Sequence, residues 1–176
     1  AWAQSRLDQA KPNVQTDDER ALIGRLEIML DNLKQFWAGT EKAIDNLKPL
    51  YEFTANGAVV IVTEVREKEV VVKSEGVTRE YWLDDLHHLM VVALAEDWFP
   101  DKPSSKVLIG AYLAVDPSGD PAMARQLWQE AAAEGIEMDE LMPELEHWEN
   151  VPRAAKSVSE LRDNPPSDEI LKNTRR

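Results

Sequence analysis

The sequence predicts an α+β fold in which one block of β-strands stands between two helical parts. Residues 51–83 contain clustered valine and isoleucine, which favour pleated strands over helix. Residues 16–48 repeat apolar side chains at alternating steps of three and four, the spacing of one helix face. Residues 84–150 hold further apolar runs separated by proline and glycine, which predicts a helical array. We therefore expect a single α+β domain over residues 16–150.

The strand block divides into four predicted strands joined as an antiparallel meander. Asn56-Gly57 suits a two-residue turn with positive φ at both positions, and Glu75-Gly76 offers a second turn of this kind. The charged segment 66–69 contains the remaining turn. The predicted strands are 51–55, 58–65, 69–74 and 77–82.

The second predicted strand is apolar on both faces at its centre. Alternation puts one set of side chains, Val59, Ile61 and Val65, on one face and a second set, Val60, Val62 and Glu64, on the other. In a sheet with one buried face and one face exposed to solvent, only the buried face of each strand is expected to be apolar. We therefore expect that the sheet curls into a small barrel or that a helix covers each face. A curled meander of this size resembles the SH3-like small barrels.

Composition and charge limit the classes of function. The chain has 176 residues, 43% of them hydrophobic, and 6 tryptophans, which is typical of a folded core. The formal net charge of −13 disfavours binding to nucleic acid or to anionic membrane surfaces. No apolar run approaches the ~18 residues of a membrane-spanning helix, so no membrane insertion is expected. The absence of cysteine excludes disulfides and thiolate sites.

Residues 1–15 are polar, contain Pro12 and show no helical periodicity. We interpret them as a leader or as the end of an upstream segment. The chain begins without methionine, and Ala1-Trp2-Ala3 has the small-x-small spacing of a signal cleavage site. We expect a soluble protein, either cytoplasmic or exported after signal cleavage.

The stretch 16–48 is predicted to be one helix of about 50 Å. Thr16 and Glu19 form a capping box, in which each side chain bonds to a backbone N–H of the other residue. Gly39 is expected to weaken the middle of the helix and to kink or divide it. The a/d positions of the repeat are Leu22, Leu26, Met29, Leu33, Phe36, Thr40, Ala43 and Leu47.

Two interpretations of this helix stay open. The sustained a/d pattern is typical of a coiled coil, which predicts a homodimer or a self-associating structural subunit. However, Ile23, Ile28, Leu30 and Trp37 widen the apolar stripe beyond a and d. This width favours packing of the helix on the chain's own sheet and helices.

Three helices are predicted after the sheet. Their spans are 84–99, 106–115 and 121–134, with a loop at 101–105. Asp120 is expected to cap the third helix, with Pro121 at its first position. Gly135 is well placed for a left-handed C-cap. Trp128 is expected to be buried between the second and third of these helices.

The helix pair at about residues 106–134 resembles a tetratricopeptide-type repeat. Three residues match the small-x3-aromatic-x2-small spacing of the second helix in that family: Ala124, Trp128 and Ala131. Gly110 with Tyr112 is similar to the first helix, although the loop is longer than the family pattern. The resemblance covers about 30 residues and implies a binding scaffold.

The interval between Arg125 and Arg153 contains no lysine or arginine, and its carboxylates are interleaved with apolar side chains. One interpretation is a single helix with a solvated acidic face. The other is a docking surface for a basic protein partner or for the tail 151–176, which is basic and interrupted by Pro165-Pro166. The residues predicted to bind a partner are Met138, Glu140, Met142, Glu144 and Trp148.

Few residues suggest catalysis. No glycine-rich phosphate loop, nucleophile elbow or HExxH motif occurs, and no cofactor is expected. The only cluster with ligand-like side chains is Asp84, Asp85, His87 and His88, with His147 as a distant candidate member. A metal-dependent enzyme or metal-binding protein using this cluster is the alternative. The sequence favours a non-catalytic protein-interaction or scaffold module.

Overall fold

The structure, a computed structural model, describes residues 2–55, 57–83 and 85–149. It is an α+β fold, as the sequence predicts, with an antiparallel sheet between two helical parts. The helices are α1 (Trp2–Ala10), α2 (Asp17–Asp45), α3 (His88–Trp98), α4 (Pro103–Val115), α5 (Pro121–Ala133) and α6 (Met142–Glu149). The strands are β1 (Glu52–Ala55), β2 (Ala58–Val65), β3 (Glu69–Ser74) and β4 (Val77–Trp82).

The sheet is a meander with the strand order β1-β2-β3-β4, and every neighbouring pair is antiparallel. Glu75 and Gly76 both have positive φ, 50° and 82°, as a two-residue hairpin turn requires. Gly57 also has a positive φ, of 77°, in the first hairpin. The strand positions and both predicted hairpins are therefore confirmed. In the described residues β1 and β4 are opposite edges, and the likeness to a small barrel stays a prediction.

A β-bulge in β2 changes the predicted faces of the sheet. The register against β3 shifts between Val62 and Glu64, so β2 has one extra residue at this point. Val65 therefore joins Val60 and Val62 on the covered face, whereas alternation assigned it to the other face. Val59 stays on the opposite face and is 55% exposed. In the part of the chain that the structure describes, the helix-covered face contains Val60, Val62, Val70 and Val72, whereas on the opposite face Val71 is buried and Val59 is exposed.

Two adjoining clusters of buried side chains form the core. The first joins α2 to the helices after the sheet and contains Phe36, Tyr112 and Trp128. The second packs the covered face of the sheet against α3, and it also contains Ala43 of α2 and Leu47 just after that helix. Helix α2, including Phe36, packs mainly on α3 and α4, and α3 is the helix that packs on β1. The predicted packing of α2 on the sheet is therefore mostly indirect, through α3.

Gly39 does not divide α2, contrary to expectation. The helix runs unbroken from Asp17 to Asp45, and the predicted capping box of Thr16 and Glu19 is present at its start. A Cβ atom at position 39 would overlap the ring of Phe99. Glycine therefore permits a close approach between α2 and the residue that follows α3.

The helix pair α4–α5 confirms the predicted burial of Trp128. Its side chain is fully buried, and Nε1 donates a hydrogen bond to the backbone oxygen of Val107 at 3.1 Å. Gly110 leaves the space that the indole occupies. Asp120 caps α5 by accepting hydrogen bonds from the backbone N–H groups of the second and third helical residues.

Several helix boundaries differ from the predicted ones. The helix predicted to begin at Asp84-Asp85 begins at His88, and α4 begins at Pro103 within the predicted loop. The region 1–15, for which no element is predicted, contains α1 and a 3-10 turn at Lys11–Asn13. Two of these starts carry local signals that the predicted spans do not use: Pro103 at the first position of α4, and His87 as the N-cap of α3.

Candidate functional site

The acidic region after α5 is not one continuous helix. Gly135, with φ of 96°, ends α5 in a Schellman motif: its N–H bonds to Ala132, and the N–H of Ile136 bonds to Ala131. A loop then leads to the separate helix α6. The predicted C-cap glycine is confirmed, and the single helix is wrong because this cap turns the chain away from the axis of α5.

Met138 does not provide an exposed contact surface as the sequence suggests. It is 4% exposed and belongs to the helical core, together with Leu141 and Leu145. Met142 is half-buried and packs against the same core. These apolar side chains hold the loop and α6 against α4 and α5, so the apolar half of the predicted binding surface faces inward.

Of the two predicted carboxylates of that surface, the structure describes the side chain of Glu140, which is exposed. Glu137, Asp139 and Glu140 are exposed in the loop. The side chains of Glu144 and Trp148 lie outside the described residues. A partner-binding role for Glu140, Glu144 and Trp148 therefore stays a prediction.

The histidine pair lies at the start of α3. His87 precedes the helix, and its Nδ1 accepts a hydrogen bond from the backbone N–H of Leu89 at 3.4 Å. The rings of His87 and His88 lie 4.6 Å apart between centroids. Burial lowers the pKa of His88, and the nearby carboxylate of Asp116 opposes this effect. The structure brings these histidines together because His87 stands outside the helix.

Within the described residues, no group of three His, Cys, Asp or Glu side chains is arranged to hold a metal ion. Asp85 is described and exposed. Asp84 and the side chain of His147 lie outside the described residues. The metal hypothesis for these two residues is therefore still a prediction.

A groove lies between α2 and one end of the sheet. It has a volume of about 530 Å³. One side is a stripe along α2, formed by Trp37, Glu41, Ile44 and Asp45. The other side is formed by Glu67 and Lys68, in the turn between β2 and β3, and by Leu83 after β4. We call this feature the α2–sheet groove.

Trp37 is the main aromatic side chain of the α2–sheet groove. It is 42% exposed. Its ring packs edge-on against Phe36 and Tyr112, with both centroid distances at 5.5 Å. Phe36 is fully buried and stacks on Tyr112 at 4.5 Å. The exposed indole therefore has rigid support from the core, which limits the conformational entropy that it would lose on binding.

The rest of the α2–sheet groove combines an apolar floor with an acidic rim. Ile44 and Leu83 are half-buried and pack against the sheet-side core. Three exposed carboxylates, Glu41, Asp45 and Glu67, face one exposed ammonium group, that of Lys68. A partner segment that fits this groove would carry an apolar side chain for the floor and a basic group for the rim.

A second groove of about 500 Å³ lies where the 3-10 turn meets the start of α2. Its lining is more polar and includes Lys11, Arg20 and Glu27. Lys11 already forms an ion pair with Glu27, and Arg20 forms one with Asp17. This groove offers no exposed aromatic side chain among its lining residues, so it is a weaker candidate.

None of the described helices combines the length and apolar character that crossing a membrane requires. Comparisons with models of protein families, with curated proteins and with solved structures find no match. The assignment of function therefore depends on the geometry and chemistry of the surfaces described above.

Proposed function

We propose that this chain is a non-catalytic protein-interaction module that binds a basic partner segment through the α2–sheet groove. The observation that carries this proposal is Trp37, an indole that is 42% exposed although buried aromatic rings hold it in place. Tryptophan at the centre of an interface often contributes a large share of the binding energy. The acidic rim and the net charge of −13 favour a partner of opposite charge.

The helix pair α4–α5 contributes to this proposal as a support. Phe36 and Tyr112 join α4 to α2 directly behind Trp37. The likeness to a tetratricopeptide-type repeat is consistent with a scaffold role, because that family binds other proteins. In this proposal the helix pair stiffens the groove and does not itself contact the partner.

The test is affinity capture from native lysate with three matched baits: the unmodified chain, Trp37→Ala and Trp98→Ala. Trp98 is 38% exposed at the end of α3 and is not part of the groove lining, so it controls for the loss of an exposed indole. We expect one or more proteins to bind the unmodified chain and Trp98→Ala, and to be lost with Trp37→Ala. Equal capture by all three baits would contradict the proposal.

Self-association through α2 is a second candidate, favoured by the first part of that helix. In the described residues no side chain of α2 before Met29 is buried, and Leu22 and Ile28 are each 40% exposed. Sedimentation equilibrium tests this candidate. A dimer that Leu22→Glu dissociates would support it, and a monomer at all concentrations would exclude it.

A further inference from the structure

Strand β4 is an exposed edge of the sheet. It pairs with β3 on one side, and Val77, Thr78, Arg79 and Glu80 are all exposed. Val77 and Trp82 have exposed fractions of 52% and 42%. The edge therefore offers apolar side chains near both ends of a six-residue strand.

The pairing pattern shows which backbone groups of β4 point away from the sheet. The N–H of Leu83 donates to the backbone oxygen of Lys68 at 2.9 Å, so these two residues are a hydrogen-bonded pair. Such pairs alternate along an antiparallel ladder, so Thr78, Glu80 and Trp82 direct their N–H and C=O groups outward. Asp85 donates to the outward oxygen of Trp82, and within the described residues no backbone bond engages the other outward groups.

Edge strands of natural proteins are usually protected by charged side chains, proline, a bulge or a covering element. Strand β4 carries the charged pair Arg79 and Glu80 but no proline, and its pairing with β3 is regular over all six residues. The bulge of this sheet lies in β2, next to Glu64. The opposite edge, β1, packs against α3. An edge that is neither covered nor bulged can accept an additional strand, provided that the partner's side chains complement its charges.

Two copies of β4 are poorly suited to pair with each other. When two copies of β4 pair, the residues whose backbone groups point away from β3 must lie opposite each other. Among the antiparallel registers that satisfy this, the two most central place Glu80 opposite Glu80 or Arg79 opposite Arg79. Like charges directly opposite each other destabilise a strand pair. The occupant that fits better is a segment of a different protein.

We propose that β4 binds an extended segment of a partner protein as a fifth strand, with a basic side chain opposite Glu80. This inference rests on the proposed function, because it describes how the partner's main chain would be held. Glu80 lies opposite Val71 in the ladder, and its carboxylate is 3.6 Å from the guanidinium of Arg66. Arg66 also bonds to Glu64 and Glu69, so three carboxylates share one arginine. A cation directly opposite Glu80 on an added strand would give this carboxylate a second, closer partner.

The first experiment uses a fluorescein-labelled peptide of alternating valine and threonine with lysine at its centre. Binding to the full chain is followed by fluorescence anisotropy. We expect saturable binding with a Kd below about 1 mM, and about tenfold weaker binding when glutamate replaces the central lysine. Absence of saturable binding in this range, or equal binding of both peptides, would overturn the inference.

Backbone N-methylation of the peptide identifies the binding mode. A set of peptides carries methyl groups on alternate amides, first in one phase and then in the other. If the peptide adds to the sheet as a strand, methylation in one phase removes the amide hydrogen bonds to β4. In the other phase the methylated amides point to solvent. We expect one phase to abolish binding and the other to leave it nearly unchanged. Equal effects of both phases would contradict strand addition.

Proline variants identify the edge. Glu80→Pro removes an outward N–H of β4 without removing a bond to β3, whereas Thr54→Pro makes the same change on β1. We expect Glu80→Pro to lose peptide binding and Thr54→Pro to keep it, with both variants folded by circular dichroism. If Glu80→Pro does not fold, Glu80→Lys provides the test, and its unchanged affinity for the lysine peptide would overturn the inference.

The experiments test strand addition at β4 and binding at the α2–sheet groove separately. Failure of the peptide experiments with capture still dependent on Trp37 would refute strand addition only. Capture that is independent of Trp37 would refute the groove instead.

Discussion

Gly110 shows how one residue fixes the packing of two helices. A Cβ atom at this position would overlap Nε1 of Trp128, which is fully buried and bonded to the backbone of Val107. The position of the indole is therefore restricted by its contact with Gly110 and by its hydrogen bond to Val107. Glycine at position 110 is required by this close approach and not by its backbone conformation, because it lies within a regular helix.

We predict that Gly110→Ala lowers the free energy of unfolding by about 1–3 kcal/mol, the usual cost of overpacking a core. Gly24→Ala is the matched control, because a Cβ atom there meets no other atom within 4 Å. In an open helical position alanine is expected to be neutral or to stabilise by about 0.5–1 kcal/mol. Urea denaturation measures both, and equal effects of the two variants would contradict the packing described for Trp128.

His88 gives the fold a dependence on pH. Burial lowers its pKa below the ordinary value of 6.5, although Asp116 opposes this shift. Around and below pH 6.5 the imidazole of His88 therefore binds a proton more readily in the unfolded state, so this residue makes the free energy of unfolding fall as the pH falls. The raised pKa of the half-buried Glu96 acts in the opposite direction. Above the pKa that His88 has in the unfolded chain, the imidazole is neutral in both the folded and the unfolded state. Its destabilising effect is therefore smallest there.

We predict that His88→Gln makes the free energy of unfolding at about pH 5.5, relative to that at about pH 7.5, larger than in the unmodified chain. Urea denaturation at the two pH values is the measurement. The variant is needed because it isolates the contribution of His88 from that of every other titratable group. An identical pH dependence in both proteins would show that His88 does not cause it.

At the residue scale, the sequence predicts what local chemistry controls. The capping box at Thr16, the N-cap at Asp120 and the C-cap at Gly135 are confirmed because each bonds within a few residues of itself. The exposure of Met138 is wrong because its burial depends on contacts with other helices. Interleaved acidic and apolar residues do not reveal which of them face a core.

Helix α2 behaves as two different parts. From Met29 onward it contributes buried side chains to the core, whereas its earlier residues contribute none within the described structure. The heptad pattern continues through both parts, so the sequence alone does not separate a packed helix from a coiled coil. The wide apolar stripe is the feature that favours packing, and Trp37 belongs to it.

We predict that Phe36→Ala costs about 3–5 kcal/mol in the free energy of unfolding, the range for loss of a buried aromatic ring. Phe36 is fully buried and contacts Tyr112 and Phe99 by stacking and edge-on packing. Leu22→Ala, in the exposed part of the same helix, is the control and should cost less than about 1 kcal/mol. A cost below about 1 kcal/mol for Phe36→Ala would mean that α2 is not held in the core.

The sheet is the element that the sequence predicts best. Its hairpin turns are encoded locally by glycine with positive φ, and the strand spans follow from them. The bulge beside Val62 is missed because no local signal marks it, and it moves Val65 to the covered face. Strict alternation therefore overestimates how apolar the exposed face is.

At the scale of the molecule, charge is expected to influence how fast a partner binds. The net charge of −13 and the acidic rim of the α2–sheet groove attract a basic segment over distances beyond contact. Salt screens such attraction, with a screening length of about 8 Å at 0.15 M.

We predict that the association rate constant of the captured partner falls as salt rises past about 0.15 M, while the dissociation rate constant changes less. Stopped-flow fluorescence measures both. Glu41→Gln should weaken the salt dependence more than Glu140→Gln, since only Glu41 lines the groove. The reverse order would place the binding site in the acidic loop before α6.

The groove itself could not be predicted from the sequence. Trp37, Lys68 and Leu83 are far apart along the chain, and they line one groove only because the fold places the second half of α2 beside one end of the sheet. The signal available in the sequence was Trp37, an apolar residue outside the a/d positions of the heptad pattern. The sequence suggests binding rather than chemistry, but it points to the acidic segment after α5 as the binding surface.

The central claim is that a partner covers the α2–sheet groove, and hydrogen–deuterium exchange of the captured complex tests it most directly. We predict slower exchange on binding at residues 37–45, at residues 67–68 and at Leu83, the three segments that form the groove. Helix α5 serves as the internal control and should exchange at the same rate in both states. Protection confined to the loop between α5 and α6, with no change in the groove, would contradict the claim.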